Sequence, residues 1–345
     1  MKLMSLIELQ LCLDLPETIL SQELLSWFAS QNQAKVHRDE FTFAGQKTYC
    51  FSAHLNEIDS MTGFGRSQDE LTSAVKACAE AVERKVCQDF FKSNSALSLQ
   101  LFEEGYKKVI RLNDNPQPIP YSFHNSNGWA VGFSANAAIE RAKREALERH
   151  LLLLTFIKEG WSGFYEISKV VIEDIEFTSL VSKYSLAGYS AGVGIAKSNK
   201  FKGVSFGYLC DKTELIETSS KWEQVFYEAY DYLRIRSHLE NYQPASKDTI
   251  SQELHYFLEH DFNETFSLQA QSISIAESFC TNLAVIDLAK SWGLEFPFFA
   301  AVVHGGDLLP LYFKNSLSHK DEMVLTNKLA LNHVHNSIPE RHPIL

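Results

Sequence analysis

The chain has no surplus of positive charge, no Cys-x-x-Cys pair, no long apolar run and no linker rich in proline, glycine or serine. Each of these absences excludes something. Lys and Arg total 32 against 43 Asp and Glu, a formal charge of −11. Such a field repels phosphate backbones and acidic lipid surfaces, so no nucleic-acid and no membrane partner is expected, although a local basic pocket is compatible with it. Leu151 to Ile157 is the longest largely apolar stretch, far below the roughly 18 residues that a membrane span needs. The opening Met1 to Leu20 carries Glu8, Gln10, Asp14 and Glu17, which the apolar centre of a signal peptide does not tolerate. Cys12, Cys50, Cys78, Cys87, Cys210 and Cys280 are scattered, as expected for reduced thiols in the cytoplasm. His333, His335 and His342 lack the spacing and partners of a zinc site and read as loop residues. No Gly-x-x-x-x-Gly-Lys-Ser/Thr loop, Gly-x-Ser-x-Gly elbow or kinase signature is present, which removes the commoner routes to nucleotide and acyl-transfer chemistry.

What is present is the composition of a globular protein, 45% hydrophobic and 22% charged over 345 residues, with enough chain for a sizeable core. Helical spacing of Ile19, Leu20, Leu24, Leu25 and Phe28 predicts a helix over Thr18 to Phe28, and aromatic and β-branched residues predict strands between Phe41 and Leu55. Met61 to Arg66 reads as a turn. Ser67 and Glu70 form a capping box opening a helix from about Gln68 to Phe91. Pro120 to Phe133 reads as strand with two glycines, and Ser134 as N-cap of a helix over Ala135 to Phe156. Strands are expected again within Ala187 to Cys210, at Phe298 to Val303 and at Leu309 to Phe313, and a helix over Thr218 to Tyr242. The fold class is therefore mixed α/β of the α+β kind, with sheets packed on helices. Residues 1–60 are expected to form part of one unit with a catalytic domain over 61–345.

The two long helices match at an offset of 65, Lys76-Ala-Cys-Ala-Glu80-Ala-Val-Glu83-Arg84-Lys85 against Arg141-Ala-Lys-Arg-Glu145-Ala-Leu-Glu148-Arg149-His150, with five of ten positions identical. These lie in repeated strand–helix units over 63–91 and 120–156. Glu-x-x-Glu-Arg arises by chance at roughly one position in 5,000, so two aligned copies point to duplication or a shared site. On a helix Glu80, Glu83 and Arg84 fall within about 100° of one face, as do Glu145, Glu148 and Arg149. Hard Mg²⁺ takes carboxylate oxygens while guanidinium forks pair with phosphate, so the mixture suits a metal-bound polyphosphate. Each copy alone equally fits a solvated face stitched by i,i+3 and i,i+4 ion pairs. Alanines at 77, 81, 142 and 146 favour close approach of another element or a ligand.

Ser126-Asn-Gly-Trp-Ala-Val-Gly132, followed by Ala138 and Glu145-Ala-Leu-Glu148-Arg149, resembles the signature of YcaO-domain proteins. Gly63-Phe-Gly65 through Glu80-Ala-Val-Glu83-Arg84 looks like that family's earlier motif. The resemblance spans about Gly63 to Phe156. It implies the YcaO fold, ATP and Mg²⁺ as cofactors, Glu80, Glu83, Glu145 and Glu148 as metal ligands, and Arg84, Arg149 and Ser126 at the nucleotide. It further implies ATP-dependent cyclodehydration of Cys, Ser or Thr to azolines in a ribosomally made precursor peptide, with amide oxygen phosphorylated and lost as phosphate. A separate leader-recognition or E1-like partner protein is implied, and a homo-oligomer is compatible with it. Thioamide or amidine formation, or a non-catalytic scaffold that binds a peptide or partner, are the alternatives.

Four positions depart from the family pattern. Phe133 stands where Asn is usual, Ala137 where a further acid is, Lys76 where a Ser is, and Asp231 where a Gln is, with Arg234 or Arg236 near the expected Arg. The end, Ser337 to Leu345, has two prolines and no Pro-x-Pro run. The sequence identifies no general base: His124 neighbours Ser126, but a lone histidine there reads as structural.

Overall fold

In the computed structural model the described residues are 17–43, 45–55, 62–92, 100–103, 106–109, 127–198, 203–238, 262, 264–267, 272–275, 282–304, 308–309 and 319–331. Ser126, His124, His333, His335, His342, Arg236's side chain, most of Leu309 to Phe313 and the segment Ser337 to Leu345 lie outside them. The architecture is mixed α+β with largely antiparallel sheets. Contacts divide the chain into two compact units, Met1–Ile119 with His124–Lys143 and Asn282–His304, and Pro120–Phe123 with Arg144–Thr281 and Gly305–Leu345. No described helix is long and apolar enough to cross a membrane.

The first unit opens with α1 (Glu17–Ser30), then a meander of β1 (Lys35–Phe43), β2 (Gln46–His54) and β3 (Thr62–Ser67), and α2 (Glu70–Lys92). Of Met61 to Arg66, expected as a turn, Met61 lies outside the described residues and 62–66 are strand, with Gly63 opposite Ala53 and Gly65 opposite Phe51. The glycines serve close packing rather than chain reversal. A Cβ on Gly63 would lie 2.1 Å from the Ala77 carbonyl oxygen, and one on Gly65 1.9 Å from that of Ser73. The buried Ser73 hydroxyl lies 2.8 Å from the carbonyls of both Tyr49 and Gly65, tying β2 and β3 to the helix. Ala77 and Ala81 are fully buried on the same face, so here the alanines admit a neighbouring strand.

The start of α2 also differs from expectation. Asp69 is the cap, its Oδ1 accepting from Thr72 N–H at 2.7 Å, while Ser67 Oγ accepts from Asp69 N–H and Glu70 pairs with Arg38. The aspartate stands directly before the first helical residue, where its carboxylate reaches an orphan amide of the first turn, and the serine two residues earlier meets only the Asp69 amide. A second sheet has the order β5 (Tyr106–Val109), β4 (Gln100–Glu103), β12 (Asn282–Asp287), β13 (Phe299–His304), β6 (Trp129–Gly132). The core joins Leu24 and Phe28 of α1, Val82 and Val86 of α2, Trp129 and Val131 of β6, and Phe298, Ala300 and Val302. After β6 the Ser134 hydroxyl caps α3 (Ala135–Glu159) by accepting from Ala137 N–H at 3.1 Å, as the sequence predicts.

The second unit is built on antiparallel β7 (Phe164–Ile172), β8 (Ile175–Leu186), β9 (Tyr189–Ser198) and β10 (Val204–Lys212), with α4 (Trp222–His238) packed on it. The short β11 (Ile273–Ser274) and α6 (His319–Leu331) also belong to this unit, and the short α5 (Leu288–Trp292) to the first. Trp222, Val225 and Leu209 share an apolar cluster. At the end of α3, Glu159 accepts from the Tyr184 hydroxyl at 2.5 Å and meets Lys183 at 3.3 Å. That hydroxyl first, with Lys183 adding to it and burial opposing, holds the Glu159 carboxyl below its ordinary 4.5. A depressed folded value stabilises above the unfolded value and is lost as the pH falls through the folded one. The difference in urea midpoint between wild type and Tyr184→Phe is therefore expected to be constant from about pH 6 to 8 and to shrink below about pH 4. A difference that grows with acidification would contradict the assignment.

Candidate functional site

The first Glu-x-x-Glu-Arg motif sits midway along α2. Because Gly63 and Gly65 bring β3 flush against the helix, the Phe64 N–H reaches Glu80 and donates to Oε2 at 2.7 Å. Arg84 Nη2 donates to Oε1 of the same carboxylate at 2.6 Å, and its guanidinium carbon stands 5.9 Å from the Phe64 ring centre. Both oxygens of Glu80 are thus engaged within the protein, each retaining lone-pair capacity for a further partner. Glu83 is half-buried on the same helix. Lys76 brings its ammonium within 3.5 Å of the Arg66 carbonyl.

The second motif lies on α3 and is more deeply placed. Glu148 and Arg149 side chains are each 16% exposed, and Glu148 Oε1 is 3.8 Å from Arg149 Nε, too far for a hydrogen bond. Burial pushes the Glu148 carboxyl up to about 7, with Arg149 opposing and Glu228 of α4 adding to the rise. The Arg149 guanidinium stands over Tyr208 of β10 at 5.1 Å, and its Nε and Nη1 are buried with no hydrogen-bond partner. Such donors retain their full bonding capacity in a site of low local dielectric. Cys210, two residues from Tyr208 on the same strand face, is buried, and its thiol is pushed well above its ordinary range by that burial and by Glu148. Glu145 is half-buried one turn before Arg149. His150 is buried, its Nδ1 accepting from Leu309 N–H at 3.0 Å.

Glu80, Arg84 and Glu83 therefore belong to the first unit, and Glu145, Glu148 and Arg149 to the second. Among the described residues no group of three or more His, Cys, Asp or Glu side chains is arranged to hold a metal ion. Tyr208 and Glu228 are neighbours of the second motif that the helical repeat does not reveal, since they come from a strand and a helix some sixty to eighty residues further on.

The departures from the family pattern are packed into the fold. Phe133 lies against Phe298 at 5.4 Å and joins the first unit's core. Ala137 stands beside Gly132, where a Cβ would come within 3.3 Å of it. Asp231 is 4% exposed and accepts from Arg234 Nε and Nη2 at 3.1 and 3.0 Å.

No protein-family model and no curated protein matches the chain. Solved structures do match in fold. A YcaO from Methanopyrus kandleri bound with AMPPCP and Mg²⁺ superposes with a TM-score of 0.51 at 13% identity, over 94% of this chain and 96% of that one. A heterocyclase in complex with substrate and cofactor gives 0.51 at 12% identity over 94% of this chain, which spans 56% of its length. A chain of the Escherichia coli microcin synthetase McbBCD complex with pro-MccB17 bound gives 0.54 at 12% identity, over 81% of this chain and 90% of that one. The chain has the YcaO fold.

Proposed function

We propose that the protein is a YcaO-type enzyme that activates backbone amides of a ribosomally made precursor peptide with ATP and Mg²⁺, converting Cys, Ser or Thr to azolines. The observation that carries this reading is Arg149 with two buried, unpartnered N–H groups beside the largely buried Glu148, in the Glu-x-x-Glu-Arg motif of a helix on a YcaO fold. The donor set fits the cofactors. Unspent guanidinium donors match phosphate oxygens, and a carboxylate that burial keeps near its neutral form gains a compensating charge from a cation. Mg²⁺ usually takes one or two carboxylates and completes its shell with water and phosphate, so either glutamate pair is sufficient to hold an ion. Glu80 with Glu83, and Glu145 with Glu148, would hold Mg²⁺, and Arg84, Arg149 and Ser126 the nucleotide. ATP supplies the phosphoryl group that turns an amide oxygen into a leaving group, a reaction in which positioning and charge neutralisation dominate.

The precursor peptide and a separate leader-recognition or E1-like protein are the partners in this reading, supported by a matched chain that belongs to a microcin synthetase complex with pro-MccB17 bound. The cytoplasm is its place of action. With partner, peptide and Mg–ATP, the purified protein is expected to consume ATP and to remove one water per heterocycle, read by mass spectrometry, and Glu80→Gln to abolish both. Neither event in the wild type, together with a Glu80→Gln variant that behaves identically, would overturn the assignment.

A second reading is a YcaO scaffold that binds peptide or partner without turnover. It is favoured by Phe133 and Asp231, both committed to internal contacts where the family pattern has other polar groups. Mg–ATP binding by calorimetry that Glu145→Ala abolishes would count against it.

A further inference from the structure

Arg149 is held in place with two of its donor nitrogens unspent. Glu148 is 3.8 Å away, and Nε and Nη1 are buried with no hydrogen-bond partner. The contact that orients the guanidinium is the Tyr208 ring, 5.1 Å from centroid to guanidinium carbon. A guanidinium over an aromatic face is attracted by the ring's quadrupole and by dispersion, and neither uses an N–H group. The Nε and Nη1 donors remain available.

Tyr208 is itself fixed from both sides along β10. Residues 206, 208 and 210 point to one face of the strand and 207 and 209 to the other. On the first face Phe206 stacks on Trp161 at 5.7 Å and 21°, and Cys210 is 3% exposed. On the second, Leu209 enters the cluster with Trp222 and Val225, and a Cβ on Gly207 would fall 2.3 Å from the Val225 carbonyl oxygen. A strand gripped on either side of residue 208 holds the ring where the packing sets it.

We propose that Tyr208 is a positioning residue for polyphosphate binding: its ring holds the Arg149 guanidinium so that the Nε and Nη1 donors are kept for phosphate oxygens. This role rests on the nucleotide-binding reading above. Hydrogen-bonding side chains in place of the ring would consume the donors that the ligand needs. An aliphatic residue would leave the guanidinium free to turn toward Glu148 or Glu228.

The test is Mg–ATP affinity of the full chain by calorimetry. Tyr208→Phe, which keeps the ring, is expected to bind within about twofold of wild type, and Tyr208→Leu about tenfold more weakly. Arg149→Ala is expected to bind at least as weakly as Tyr208→Leu, and adding Tyr208→Leu to it to cost nothing more, because the tyrosine acts through the arginine. Should Tyr208→Leu fail to fold, Tyr208→Met, of similar volume to leucine and more flexible, takes its place. Wild-type affinity in the ring-less variant, or the same loss in the presence and absence of Arg149, would overturn the role. A wild-type chain that binds no Mg–ATP would instead overturn the nucleotide reading and take this role with it, a result distinguishable from lost coupling in a chain that does bind.

Discussion

Gly65→Ala is expected to destabilise the protein more than any other single methyl addition considered, and Gly63→Ala nearly as much. The new Cβ would sit 1.9 Å from the Ser73 oxygen in one case and 2.1 Å from the Ala77 oxygen in the other, against helix backbone that no rotamer change can move. Strand and helix must part by an ångström or more. That forfeits the Ser73 bridge to Tyr49 and Gly65 and the Phe64 N–H bond to Glu80. Overpacking of this kind costs about 1–3 kcal/mol, and a lost buried hydrogen bond about 1 kcal/mol more. Gly132→Ala is the internal control, since its nearest atom, Ala138 N, is 3.0 Å away and a slight shift accommodates it. Thermal or urea unfolding should rank the variants Gly65 and Gly63 well below Gly132. Equal midpoints for all three would refute the close packing of β3 on α2.

The second large effect falls on function with the fold left standing. Glu148→Gln replaces a carboxylate that burial already drives toward its neutral form, with its pKa up to about 7, by a neutral group of the same shape. Stability in the absence of ligand is expected to stay within about 1 kcal/mol of wild type, because the penalty of burying the charge disappears along with its attraction to Arg149. Turnover with Mg–ATP is expected to fall at least about a hundredfold, as when a preorganised charge is removed from a phosphoryl-transfer site. Calorimetry and product mass spectrometry on the same preparation separate the two outcomes. A variant that is equally stable and fully active would remove Glu148 from the metal and nucleotide machinery.

Much of this was legible in the residue order because it is local. The two Glu-x-x-Glu-Arg helices, the Ser134 cap and the strands within Ala187 to Cys210 follow from periodicity and capping, which act over a few residues. The Gly63-Phe-Gly65 stretch was misread as a turn because glycine serves both chain reversal and close packing, and only the presence of α2 against β3 decides between them. The cap of α2 is Asp69 rather than Ser67 because the helix begins at Glu70, two residues later than the capping box implies, and only the residue directly before it reaches an orphan amide of the first turn. Tyr208 was hidden for a different reason. Its meeting with Arg149 spans 59 residues and depends on how β10 folds back, and alternation marks the strand face that carries Phe206, Tyr208 and Cys210 without saying what that face meets.

The duplicated motifs have reached different chemical states from nearly the same letters. Arg84 is tied to Glu80, which the Phe64 amide also holds, whereas Arg149 keeps two donors in reserve. Selection should therefore read the copies differently. Drift in the first should cost folded protein as well as activity, and stabilising changes elsewhere should restore the protein but not the turnover. Drift in the second should leave abundant, well-folded protein with nothing to do, beyond the reach of any such suppressor.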